Sequence, residues 1–255
     1  MKRSSGARIG AAIGVSVLSL ALITGCSSEE SDDSKGTDSA ASSSPTQAAK
    51  ALSAAALEKL LLAQGDVEGY KVDSGDDTLP KSKSEVKTDK AECDPLAWAT
   101  AALAPGETDA NASNTVAEDK ASDATANPED LADAFNVNMT FVGLSSYEGD
   151  GAEKAMKAVS DGVAACSGGY ALAAGGENTK VTKVAEAEGS GLGDESVAFA
   201  EDVDMEGETA TFHTEVVRKG NTIATFYTVN FAALGTGEAA EIPAAVVEAQ
   251  VAKLK

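Results

Sequence analysis

All eleven aromatic residues of this 255-residue chain lie beyond position 50. A packed core needs large apolar side chains, so whatever folds here folds from about Leu52 onward. Residues 27–50 read SSEESDDSKGTDSAASSSPTQAAK and hold no large apolar residue. Such a stretch cannot offset its ordering entropy by burial, and it reads as a flexible tether. Over about 24 residues its mean reach is on the order of 25–30 Å. What remains is about 200 residues, a usual size for one domain.

Ahead of the tether, Lys2, Arg3 and Arg8 precede an uncharged run from Ile9 to Ile23, followed by Thr24-Gly25-Cys26. As a helix that run is roughly 22 Å long at about 1.5 Å per residue, short of a bilayer core of about 30 Å. The order of cations, apolar run, small residue and cysteine predicts a secretory signal peptide over 1–25 with a lipoprotein cleavage site. Processing at such a site needs a small residue before the cut and a thiol after it, because the thiol carries the diacylglycerol. Cys26 is therefore the expected lipidation site, with palmitate among its acyl chains, and 26–51 the lipidated tether. The expected location is the cell membrane, lipid-anchored on its extracytoplasmic face. The alternatives are a plain signal peptide and an uncleaved N-terminal anchor.

The formal charge is -21, and removing 1–25 takes away three cations and no acids. So acidic a chain cannot neutralise phosphates, which excludes nucleic acid as a partner. It is repelled by anionic headgroups as well, so the membrane link has to be covalent lipid. Two cysteines besides Cys26 remain, Cys93 and Cys166. In an exported chain that pair reads as one disulfide, the alternative being two buried thiols.

Periodicity places the elements. Ser53 is positioned to cap a helix carrying Leu57, Leu60 and Leu61. A strand falls around Tyr70–Val72, and 94–103 reads as a short helix with Pro95 in its first turn. Residues 104–134, poor in large apolar side chains, read as a long mobile loop. Val137, Met139, Phe141 and Gly143 alternate as a strand. Ala152, Ala155, Met156, Val159, Val163 and Cys166 share one face of a helix. Val181–Glu186 and Ser196–Phe199 are short strands. Thr209–Arg218 and Thr222–Phe231 form a hairpin about Gly220-Asn221. A last helix covers about 242–254, with Val246, Val247, Val251 and Leu254 repeating. Together these predict an α+β domain over 52–255, an antiparallel sheet of about five or six strands with helices packed on one face and one disulfide.

Chemistry-bearing motifs are few. His213, the only histidine, shares a strand face with Thr211 and Glu215, and His213 and Glu215 are the candidate ligand-binding residues, lining a groove. The plainer reading is a solvent-facing strand residue. No Gly-x-Ser-x-Gly elbow or nucleophile–base constellation is present, so no catalytic residue is expected and the domain is read as non-enzymatic. Asp202, Asp204 and Glu206 before Gly207 resemble the start of a calcium loop, but position 12 is His213 rather than a glutamate. No metal site and no cofactor are expected. Gly191-Leu192-Gly193-Asp194-Glu195-Ser196 lacks the lysine of a phosphate loop and reads as a tight turn. Trp98 reads as core packing near the disulfide.

The order of the pieces carries a resemblance. An acidic Ser-rich tether leads to LLLAQGDVEGY, then Cys93. VNMTFVGLSSYEGDGAEKAMKAVSDGVAAC runs to Cys166, and GLGDES, VVRKGNTIATFYT and a C-terminal amphipathic helix follow. This resembles the actinobacterial exported lipoproteins related to the extracellular sensor domain of PknH-type receptor kinases, over about 52–255. The resemblance implies an antiparallel sheet with helices, a disulfide near the sheet and a concave groove that senses a ligand or partner. That sensor domain is usually described with two disulfides, whereas Cys93 and Cys166 allow one. With no kinase segment here, signalling is not implied. The expected function is a membrane-anchored binding domain for a small ligand or envelope partner. The alternative is a structural or accessory lipoprotein that docks onto another envelope protein without a ligand pocket.

Overall fold

The computed structural model describes residues 50–74, 79–120, 136–233 and 239–254. The expected signal peptide, Cys26 and nearly all of the tether lie outside the described residues, as does 121–134 of the expected loop.

Among the described residues nine strands form one antiparallel sheet. They are β1 (Tyr70–Asp73), β2 (Val86–Thr88), β3 (Asn111–Glu118), β4 (Met139–Ser146), β5 (Tyr170–Ala174), β6 (Glu177–Ala187), β7 (Glu195–Met205), β8 (Glu208–Lys219) and β9 (Thr222–Val229). Their order across the sheet is β1-β3-β4-β9-β8-β7-β6-β5-β2. Four α-helices accompany them among the described residues: α1 (Ala54–Glu58), α2 (Asp94–Thr100), α3 (Gly151–Ala165) and α4 (Ala244–Lys253).

The expectation of five or six strands is corrected, and the extra strands share a cause. β3, within the segment read as a mobile loop, has the sequence NASNTVAE, and it is a strand because it pairs residue for residue with β4, from Asn111 opposite Ser145 to Ala117 opposite Met139. β2 and β5 are short; β5 pairs with β6, and β2 pairs with β5 at the sheet edge. Backbone pairing, not side-chain pattern, makes these strands. The helix expected through Leu61 ends at Glu58, and Ser53 makes no side-chain cap.

Helices on one face is corrected as well. β9 is almost continuously buried, as is β4, so both faces of the central strands are covered. On one face, α2 and α3 bring Leu96, Met156 and Val159 against Phe199, Val216 and Ile223. On the other, α1 and α4 bring Leu57, Val246 and Val247 against Val217, Ala224 and Phe226. Adjacent residues in β8 and β9 thus serve opposite layers. Fully buried Gln250 of α4 stitches the second layer: its Oε1 accepts from Leu62 N at 3.1 Å and its Nε2 donates to the Leu60 carbonyl at 2.9 Å. Asn114 of β3 donates to the Leu62 carbonyl at 2.7 Å.

The disulfide is present. Cys93, just before α2, bonds Cys166, just after α3, with both residues fully buried in the first layer. Trp98 packs against that layer and lies under the Lys83 ammonium, 4.3 Å from its ring centre.

The α2 turn meets β4 closely. Ala102 leaves the helix with φ +54°, and a Cβ on Gly143 would run into the Ala102 carbonyl and sit 2.6 Å from Thr225 Oγ1. Glycine is required there by space. Gly143→Ala is expected to cost about 1–3 kcal/mol by overpacking, read as a lower denaturant midpoint; an unchanged midpoint would show that α2 can retreat at no cost.

Candidate functional site

A cavity of about 520 Å³ opens on the α1/α4 face, between β7, β8 and the start of α4. Strand alternation sets its floor. His213 and Glu215 are two apart on β8 and face the same way, and opposite Glu215 on β7 stands Ala198, whose small side chain leaves the volume unfilled. Ile242, Ala244 and Val247 supply an apolar wall from the entry to α4, and Glu188, Gly189 and Ser190 close the other side.

Glu215 is only 4% exposed. Its Oε1 accepts two hydrogen bonds from Ser190, one from the backbone N–H at 2.8 Å and one from the hydroxyl at 2.6 Å. Among the described residues no donor reaches Oε2. The Ser190 loop can lie this close because Gly189 has no side chain: a Cβ there would stand 3.3 Å from both Glu215 Oε1 and Ala198 Cβ. The run read as a tight turn ends a seven-residue loop, 188–194, between β6 and β7, with a bend at Gly193-Asp194. Gly191 and Gly193 take φ +67° and +76°, and the chain enters β7 at Glu195. His213 is half-buried on the cavity floor, and its ring makes no hydrogen bond among the described residues. The two residues singled out from strand parity are thus brought together in one concavity.

The calcium-loop resemblance dissolves into a hairpin. Glu206 and Gly207 form the turn with φ +58° and +100°, Asp204 Oδ1 accepts from Gly207 N at 2.9 Å, and Asp202 Oδ1 accepts from the Thr211 hydroxyl at 2.7 Å. Among the described residues no cluster of three or more His, Cys, Asp or Glu could hold a metal ion.

A second polar cluster, absent from the sequence reading, lies on the opposite face. Glu201 is fully enclosed, and its Oε1 accepts from the Tyr170 hydroxyl at 2.6 Å. The Thr100 hydroxyl is 3.1 Å from Glu201 Oε2 and 3.0 Å from the Leu96 carbonyl. Burial pushes the Glu201 carboxyl above the usual range, against the lowering effect of Tyr170 and Thr100. Burial, with Glu201 adding to it, pushes both Tyr170 and Tyr227 up. One signal could have found Glu201: it has the parity of Phe199 and Val203, the apolar face of β7.

No protein-family model matches the chain, and no curated protein does. Among solved structures the chain is similar to the crystal structure of the extracellular domain of PknH from Mycobacterium tuberculosis. The identity is 13%, over 80% of this chain and 95% of that one, with a TM-score of 0.46. At that identity no residue role passes from that protein to this chain.

Proposed function

We propose that this chain is a lipid-anchored, extracytoplasmic protein whose domain binds a small ligand, without catalysis, in the cavity floored by His213 and Glu215. The cavity carries the reading. At about 520 Å³ it falls in the range of roughly 300–1,000 Å³ usual for ligand sites, and it combines an apolar wall with a few convergent polar groups. The buried Cys93–Cys166 disulfide supports an oxidising compartment. Support for the non-enzymatic part is that His213, the sole imidazole, has no hydroxyl or thiol hydrogen-bonded to it among the described residues. The docking alternative calls for an exposed apolar patch of several hundred Å². Among the described residues the exposed large hydrophobics are Met205 and Phe231, fewer than such a patch needs.

Two measurements test the reading. A thermal-shift screen of small cations, neutral molecules and anions should yield at least one binder whose effect disappears in Ala198→Leu, which fills the floor from β7. Binders that survive that substitution would move the site elsewhere. For the anchor, metabolic labelling with palmitate should mark the wild-type chain and not Cys26→Ser; label persisting on the variant would overturn lipidation at Cys26.

A further inference from the structure

We infer that the cavity takes a protonated organic amine, its ammonium head on Glu215 Oε2 and its apolar body against Ile242 and Val247. This rests on the ligand-binding reading above and adds the ligand's class. Glu215 is the reason. It is a carboxylate with 4% of its surface exposed, yet both Ser190 donors go to one oxygen, Oε1. The other oxygen has no donor among the described residues and belongs to a side chain that lines the cavity. A buried carboxylate is stable only when its charge is met by donors or by an opposite charge. Among the described residues the protein supplies neither to Oε2, which leaves that oxygen to water or to a ligand that enters the cavity.

The remaining lining narrows the choice. Glu188 and Glu241 are the other charged residues of the lining, which contains no lysine or arginine. An anion would therefore meet three carboxylates and no cation. A neutral ligand could donate to Oε2 but would leave the charge uncompensated. A bare metal ion would find no group of three or more His, Cys, Asp or Glu placed to hold it among the described residues. An ammonium brings three N–H donors and a full charge on an apolar stem. It can donate to Oε2 while the stem covers Ile242 and Val247. The net charge of -21 raises the local concentration of cations around the whole chain.

Because His213 is the chain's one histidine, its ring resonances report on the cavity without overlap. Butylammonium, butanol and butyrate, which share a four-carbon tail, are titrated into the purified full chain. Butylammonium is expected to move the His213 signals saturably, at least tenfold more tightly than butanol, with butyrate weakest. Glu215→Gln keeps the shape and an acceptor for Ser190, and should erase the preference for the amine. Butanol or butyrate binding as well as butylammonium in the wild type would overturn the amine assignment and leave the ligand cavity standing. His213 signals unmoved by all three would overturn the amine and the cavity reading together. The wild-type series decides the matter even if the variant fails to fold.

Discussion

Replacing Cys93 and Cys166 together by serine is expected to lower the melting midpoint by roughly 8–16 °C. The figure follows from the loop. The bond closes a sequence separation of 73 residues, and a loop of that length is worth about 4 kcal/mol in the chain-entropy account. For a domain of about 200 residues, each kcal/mol moves the midpoint by roughly 2–4 °C. Position adds to length. Both cysteines are fully buried among Leu96, Met156, Val159 and Val163, so the bond also fixes the two ends at which α2 and α3 meet. Reductant should bring the wild type down to the variant's midpoint and leave the variant unmoved. A variant melting within about 2 °C of wild type would mean that the helices hold each other through packing alone.

The disulfide, α3 and the β8–β9 hairpin were legible because each rests on local information. The cysteines follow from counting, α3 from a 3.6-residue stripe that runs Ala152 to Val163, and the hairpin from Gly220, which takes φ +60° between two patterned strands. β3 was not legible, because Asn111–Glu118 carries its reason to be a strand in β4, not in itself. The second helical layer was missed for a related reason. β9, TIATFYTV, carries no charged residue, and such a run is compatible with burial on both faces, but the hairpin signal alone does not say so. At the site, parity placed His213 and Glu215 on one face. The wall that turns this face into a cavity comes from Ile242 and Val247, far along the chain, and no local pattern announces that meeting. Ser190's grip on Glu215 spans 25 residues and is equally invisible. The Glu201 cluster needed only a parity check of an acid against its apolar neighbours.

Glu201→Gln should alter the pH dependence of stability more than any other single change to a charged residue. Glu201 is fully enclosed and its carboxyl is pushed above its ordinary value of 4.5, burial being the main cause. The groups facing it are Tyr170, Tyr227, Thr100 and Thr214, with Asp94 acting on Tyr170; no cation is among them. A raised carboxyl holds its proton more tightly folded than unfolded. Its stabilising contribution is therefore complete below about 4.5 and is lost as pH rises through the folded value. The hydrogen bonds agree with a proton on Glu201. Thr100 has one hydroxyl proton for two acceptors, the Leu96 carbonyl and Glu201 Oε2. Protonated Glu201 resolves the contest by donating from Oε2 to Thr100, which then donates to Leu96. Glutamine reproduces that pattern, with Oε1 accepting from Tyr170 and Nε2 donating to Thr100. The stability of wild type relative to Glu201→Gln should thus fall as pH rises from about 4.5 and level off once the folded carboxyl has ionised. Asp66, Glu118 and Asp150, whose carboxyls are held low, pull the other way as acid is added, but they are common to both proteins and cancel in the difference. Glu201→Ala should cost about 2–4 kcal/mol below about pH 4.5, because it leaves a void and strips a partner from the Tyr170 hydroxyl, and that cost should shrink as pH rises, since alanine does not titrate either. Denaturant melts of the three proteins across this range decide it: a flat difference between wild type and the glutamine variant would mean that Glu201 is ionised in the folded state and met by donors the cluster does not contain.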